Sequence, residues 1–191
     1  MKKFIVIFLV IILSLSLVAC NNTESPEDEN PIEEQDNAEE NDDEIVEPTP
    51  NTDEVEVTLY FANKEYVETG DESLEKLIAE KRTVEYGDTS LEETVVKELI
   101  KGPESEELST IIPQSINLLG IEIADGTAFV NFSQEGLYGG SMQEGFTISQ
   151  IVNSLLELDS VDRVQFLIDG EKAESLMGHI SIMDPFEEPN E

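Results

Sequence analysis

Between residues 21 and 54 the chain carries fifteen Asp or Glu and no Lys or Arg. The apolar residues of that stretch are Ile32, Ala38, Ile45 and Val46. So little apolar surface cannot offset the entropy of ordering the backbone, and the like charges repel one another. The stretch is predicted to be a disordered spacer, extended further by Pro26, Pro31, Pro48 and Pro50. At about 3.3–3.6 Å per residue its limiting reach is roughly 110–120 Å. A folded domain must therefore be built from the chain beyond residue 54. No Asp-x-Asx-x-Asx-Gly spacing occurs, so diffuse counterion condensation is expected in place of a calcium loop.

Ahead of the spacer, Met1-Lys2-Lys3 precedes an unbroken apolar run over residues 4–13, and only Ser14 and Ser16 interrupt the stretch to Val18. This is the charge and length pattern of a secretory signal. It is short for an uncleaved membrane span, which needs about 20 apolar residues. The stretch ends in Leu17-Val18-Ala19-Cys20, which resembles the bacterial lipobox. The resemblance implies diacylglyceryl transfer to the Cys20 sulfur, acyl chains such as palmitate, and cleavage between Ala19 and Cys20. Residues 1–19 would then be a removed signal peptide, with 20–54 as lipidated cysteine and tether. Cys20 is the one cysteine in the chain, so no internal disulfide is expected. The expected location is the extracytoplasmic face of the cell membrane, held there by lipid.

From Val55 the pattern changes. Val55, Val57, Leu59 and Phe61 alternate with Glu56, Thr58 and Tyr60, the period of a half-buried strand. A short strand is expected at Tyr66-Val67. Leu74, Leu77 and Ile78 have helical spacing, whereas residues 81–85 read as a strand. Ser90 and Glu93 predict a capping box, with Leu91, Val95 and Leu99 as the buried helix face, Val96 and Ile100 beside it. Gly102 and Pro103 end that helix. Leu118, Leu119, Ile121 and Ile123 lead into the tight-turn pair Asp125-Gly126, and Ala128, Val130 and Phe132 return from it. A second helix is predicted from Ser141, Glu144 completing another capping box and Ile148, Ile151, Val152, Leu155 and Leu158 forming its stripe. Gly145 is a weak point near its start. A strand over residues 164–168 meets a further turn, Asp169-Gly170. The order is β–α–β–β–α–β. It predicts an α/β (α+β) fold, a small mixed sheet with two helices on one face, over residues 55–186, before an acidic tail at 187–191.

Several of these segments resemble the sporulation and spore germination domain family called GerMN. They are Val57-Thr58-Leu59-Tyr60-Phe61-Ala62-Asn63, Leu99-Ile100-Lys101-Gly102-Pro103, Gly126-Thr127-Ala128-Phe129-Val130-Asn131-Phe132-Ser133, Gln150-Ile151-Val152-Asn153-Ser154-Leu155 and Val164-Gln165-Phe166-Leu167-Ile168-Asp169-Gly170. Their order and spacing carry the match. The resemblance implies a non-catalytic, extracytoplasmic lipoprotein domain of Gram-positive bacteria, with a compact fold similar to ring-building modules of sporulation and secretion complexes. Gly102, Pro103, Gly126, Asn131, Asp169 and Gly170 are the motif residues with structural roles to fill. Germination members carry two such domains in tandem; this chain carries one and shows no internal repeat.

The formal charge is −34, from 10 basic and 44 acidic residues. Such a chain repels phosphate polymers, which argues against nucleic acid as a partner. Gly139-Gly140-Ser141-Met142-Gln143 imitates a nucleophile elbow but lacks its last Gly. Ser141 is read as a helix cap. His179 is the one histidine and is read as structural or surface. Adjacent acids such as Glu92-Glu93 and Glu106-Glu107 are read as a solvated face. No catalytic residue, metal site or cofactor is predicted.

Alternation places Phe61 in the core and Tyr60 on the opposite face, where Tyr60 and Tyr66 offer an aromatic partner surface. The function expected is an envelope interaction module in sporulation, germination or envelope assembly. Its partners are envelope or sporulation proteins, self-association included. The alternative is a peptidoglycan-proximal ligand-binding lipoprotein.

Overall fold

A computed structural model describes residues 52–190. Ala19, Cys20 and nearly all of the acidic spacer lie outside the described residues.

Strand β1, Asp53–Asn63, follows the predicted alternation: Val57, Leu59 and Phe61 are buried. It pairs antiparallel with β2, Leu77–Tyr86, from Asp53↔Tyr86 to Ala62↔Leu77. Between them the chain forms a short helix, α1, Lys64–Thr69, where a strand at Tyr66-Val67 was predicted. The reason lies at its ends. Asn63 Oδ1 accepts the backbone N–H groups of Glu65 and Tyr66, and Gly70 takes the left-handed conformation (φ 66°) that stops the helix. Leu77 and Ile78, given helical spacing by the sequence, open β2 instead.

Helix α2, Leu91–Lys101, begins at the predicted cap: Ser90 Oγ accepts the Glu93 N–H at 3.2 Å. The capping box is half-made, because the Glu93 carboxylate pairs with Lys97 Nζ at 2.7 Å. Val95, Val96 and Leu99 are buried, and Gly102 (φ 104°) ends the helix before Pro103. The two-residue strand β3, Leu108–Ser109, then pairs with the end of β1.

Strands β4, Leu118–Ala124, and β5, Thr127–Phe132, form the predicted hairpin through Asp125 and Gly126, both at positive φ (49° and 70°). Helix α3, Ser141–Leu155, leads to β6, Arg163–Ile168, which pairs parallel with β5 from Thr127↔Arg163 to Phe132↔Ile168.

The α+β class holds. The strands are divided between two three-stranded sheets, β2-β1-β3 and β4-β5-β6, where one mixed sheet was predicted. The division has a local cause. The margin of β1 next to β3 is flanked by a helix: Tyr60 N–H donates to Ser154 Oγ of α3 at 2.8 Å. Ile111 N–H likewise donates to Gln150 Oε1 of α3 at 2.9 Å. Helix side chains thus satisfy backbone donors that a neighbouring strand would otherwise take. Both sheets share one core, with Leu59, Phe61, Leu99, Phe132, Ile151, Leu155, Phe166 and Ile182 at its centre. Phe166 stacks on Phe132 at 6.4 Å and meets Phe186 edge-on at 5.8 Å.

Candidate functional site

A groove of about 640 Å³ opens where α1, β1, the start of β2 and α3 meet. The turn of α1 brings Tyr66 against Phe146 of α3, with ring centroids 6.1 Å apart at 64°. Tyr60 points into the same groove from the outward face of β1, and Ile180 adds an aliphatic wall. Met142, 56% exposed, stands at the rim. Ser149 and Asn153 of α3 supply polar atoms, and Asn190 returns to meet them. The Asn190 backbone N–H donates to Asn153 Oδ1 at 2.8 Å, and its Nδ2 donates to Ser149 Oγ at 2.9 Å.

The Tyr60 hydroxyl donates to Glu157 Oε1 at 2.8 Å. That hydrogen bond, then partial burial and the negative charge of Glu157, hold the phenol above its ordinary pKa. The predicted separation of Tyr60 from Phe61 is present. Phe61 is fully buried, and the Arg82 guanidinium lies 5.6 Å from its ring centroid. The sequence reading missed Phe146, Ser149 and Asn153. Their signal was available: positions 142, 146, 149 and 153 follow helical spacing beside the core stripe.

The motif residues lie elsewhere, and Gly126, Asn131, Asp169 and Gly170 pin the mixed sheet. The Gly126 carbonyl accepts N–H groups from Asp162 at 2.7 Å and Arg163 at 3.1 Å. A side chain at Gly126 would collide with Asp162. At the other end of the sheet, Asn131 Oδ1 accepts the Gly170 N–H at 2.8 Å, while Asp169 Oδ2 accepts the Gln134 N–H at 3.3 Å. Gly102 offers its carbonyl to Arg82 Nη2 at 3.0 Å, and Pro103 comes directly after it.

Arg82 is a buried cation between three acids. Nη2 meets Glu80 and Nη1 meets Glu98, each at 2.6 Å, and Glu104 lies 3.7 Å from Nε. Burial pushes the Glu80 carboxyl up, but N–H donors from Ser105 and Glu104 and the Arg82 guanidinium outweigh it, leaving its pKa below the ordinary range. Glu98 is likewise raised by burial and brought lower still by Arg82 and Lys101.

The hydrolase imitation does not assemble. Gly140 caps α3, and Ser141 is its exposed first residue, making no side-chain cap bond. Glu144 does not complete a capping box either. Its carboxylate, 0% exposed, accepts the backbone N–H groups of Met177 and His179 at 2.8 Å and Ile180 at 3.2 Å. His179 Nε2 lies 3.1 Å from the Gly139 carbonyl, and Asp169 is engaged with Gln134. Among the described residues no cluster of His, Cys, Asp or Glu is arranged to hold a metal ion, and no helix is long and apolar enough to cross a membrane.

Residues 58–174 match the family model Germane, described as sporulation and spore germination. The chain is similar in fold to the first GerMN domain of the sporulation protein GerM from Bacillus subtilis. The TM-score is 0.56 at 17% identity, over 69% of this chain and 96% of that one. Against the tandem GerMN domains of the same protein the TM-score is 0.51 at 19% identity, over 73% of this chain and 47% of that one. The chain thus spans about half the length of the tandem. No curated protein matches it.

Proposed function

Because this chain belongs to the Germane family of sporulation and spore germination domains, we propose that it is a lipid-anchored extracytoplasmic protein whose single domain binds an envelope or sporulation protein without catalysing a reaction. The groove between β1 and α3 is the contact site. One observation carries this reading: Tyr60 and Tyr66, paired by sequence as an outward aromatic surface, line one concave site with amide and hydroxyl groups. Concave sites with an apolar floor and few polar groups are suited to binding.

The anchor rests on the lipobox at Cys20 and the spacer on the acidic run. The spacer reach also supports a second reading, a ligand binder working close to peptidoglycan.

The test is crosslinking in the native cell, with and without sporulation, from a photoreactive residue at Met142 on the groove rim and a control at Lys172. One protein adduct from the groove alone is the expected result. Equal adducts from both positions, or retention on wall sacculi without any protein adduct, would overturn it. Cys20→Ala should leave an unprocessed, unlipidated precursor. A membrane-bound product of mature size from that variant refutes the anchor.

A further inference from the structure

Resting on the reading of the groove as a contact site, we infer that its ligand is an extended, neutral or basic peptide segment, and that residues 187–190 of this chain are a resident competitor for it. One residue of the chain's own returning segment, Asn190, already lines the groove. Asn190 gives it one backbone N–H and one side-chain amide N–H, and the acceptors are Asn153 Oδ1 and Ser149 Oγ. These acceptors are four positions apart on α3, a separation of about 6 Å along the axis. Two N–H donors of a single residue therefore span successive turns of the helix, a spacing that a peptide backbone with an amide side chain meets.

The resident segment is held lightly. It leaves the fold at Phe186, which pairs with Val164 through two backbone hydrogen bonds of 2.8 and 2.9 Å. Glu187, Glu188 and Pro189 are all exposed, so they contribute little apolar burial. Asn190 adds two neutral hydrogen bonds, each a modest net contribution once exchange with water is counted. Pro189 restricts its own backbone, which keeps the segment extended. A competitor that filled the aromatic floor at Tyr66 and Phe146 as well would displace it.

Charge decides which competitor. The segment brings Glu187 and Glu188 onto a protein with a net charge of −34, so like charges oppose its docking. A segment with the same amide donors and basic or neutral neighbours gains where this one loses.

The test uses the full chain in detergent micelles and fluorescein-labelled, C-terminally amidated peptides read by anisotropy. One peptide copies residues 184–190; the other carries Glu187→Lys and Glu188→Lys. In the Asn190→Ala chain both peptides bind, the lysine form roughly tenfold tighter, equivalent to about 1.4 kcal/mol. The unaltered chain binds each more weakly, because its own segment competes. Asn153→Leu abolishes binding, and Asn153→Asp, which keeps the acceptor oxygen, restores it. Equal affinity for the two peptides, no gain from Asn190→Ala, or binding unaffected by Asn153→Leu overturns the inference. So does an N-acetylglucosamine tetramer that binds where neither peptide does. If the peptides fail while the Met142 crosslink to a protein persists in cells, this inference alone falls. If the crosslink is also absent, the function proposed above falls with it.

Discussion

The Tyr60 backbone N–H donates to Ser154 Oγ at 2.8 Å, across a sequence separation of 94 residues. Ser154 is fully buried, and its hydroxyl donates a hydrogen bond to the Gln150 carbonyl at 2.7 Å. Replacing Ser154 by Ala leaves the strand donor without an acceptor. The expected loss is about 1–3 kcal/mol of stability, the cost of an unsatisfied buried group. Urea unfolding of Ser154→Ala beside the parent measures it. Unchanged stability would mean that the donor is satisfied elsewhere.

Glu144 is a buried carboxylate that holds the backbone of residues 177–180. Its partners are N–H groups, and among the described residues no Lys or Arg is bonded to it. Glu144→Gln removes the charge that strengthens those bonds and turns one oxygen into a donor facing donors. A loss of roughly 1.5–3 kcal/mol is expected, the range for hydrogen bonds to a charged group. Hydrogen exchange should quicken first at Met177, His179 and Ile180. Unaltered protection there would refute the role given to Glu144.

The Arg82 cluster sets an acid limit. Glu80 and Glu98 have pKa values below the ordinary value of 4.5. A carboxylate depressed in the fold contributes stability above its unfolded pKa, about 4.3, and that stability is lost as pH falls through the folded value. Stability should therefore drop below about pH 4.3. The Glu80→Gln, Glu98→Gln double variant should be less stable at neutral pH and show a shallower acid loss in thermal melts. Arg82→Met should cost roughly 3–5 kcal/mol at neutral pH, because it leaves poorly solvated Glu80 without a cation and Glu98 with Lys101 alone. An unchanged acid profile in the double variant would contradict the assignment.

Tyr60 titrates above the usual tyrosine value of 10.0 because its hydroxyl is bonded to Glu157. Glu157→Gln should bring it down. Ultraviolet titration, with Tyr60→Phe subtracted to isolate this phenol, reads the change. A folded pKa that is raised gives stability below the unfolded value, lost as pH rises through the folded one. The contribution is thus full below about pH 10 and fades above it. No downward movement in Glu157→Gln would remove this hydrogen bond from the account of the groove.

Gly145 sits in the second turn of α3 and lines the groove. Ala is better than Gly in a helix by about 0.8–1.0 kcal/mol. The added Cβ would lie 3.5 Å from Ile180 Cδ1, an ordinary contact. Gly145→Ala should therefore raise the unfolding midpoint in urea. A lower midpoint would mean that Ile180 cannot accommodate it.

Sequence patterns were legible where a local rule and a buried face agreed. β1, α2 and the Asp125-Gly126 hairpin each combine a clear period with a turn or cap of known geometry. α1 was missed because Tyr66-Val67 looks like a strand until Asn63 and Gly70 are read together as helix ends. The division into two sheets was not legible, because it depends on Ser154 and Gln150 reaching backbone donors far away in sequence. The same holds for the groove. Tyr60 and Tyr66 were visible as an outward pair, but Asn190 meets Asn153 and Ser149 only through the long return of the chain.

The outer margin of β6 is already taken by the chain itself, at Val164 by Phe186 and at Ile168 by Glu171. Among the described residues no strand pairs with the other margin of that sheet, at β4, whose Leu119 and Ile123 are exposed. Two copies that joined there, β4 to β4, would leave no further margin in that sheet for a third. Joining through this sheet is self-limiting: it stops at a pair and cannot run on into a fibre.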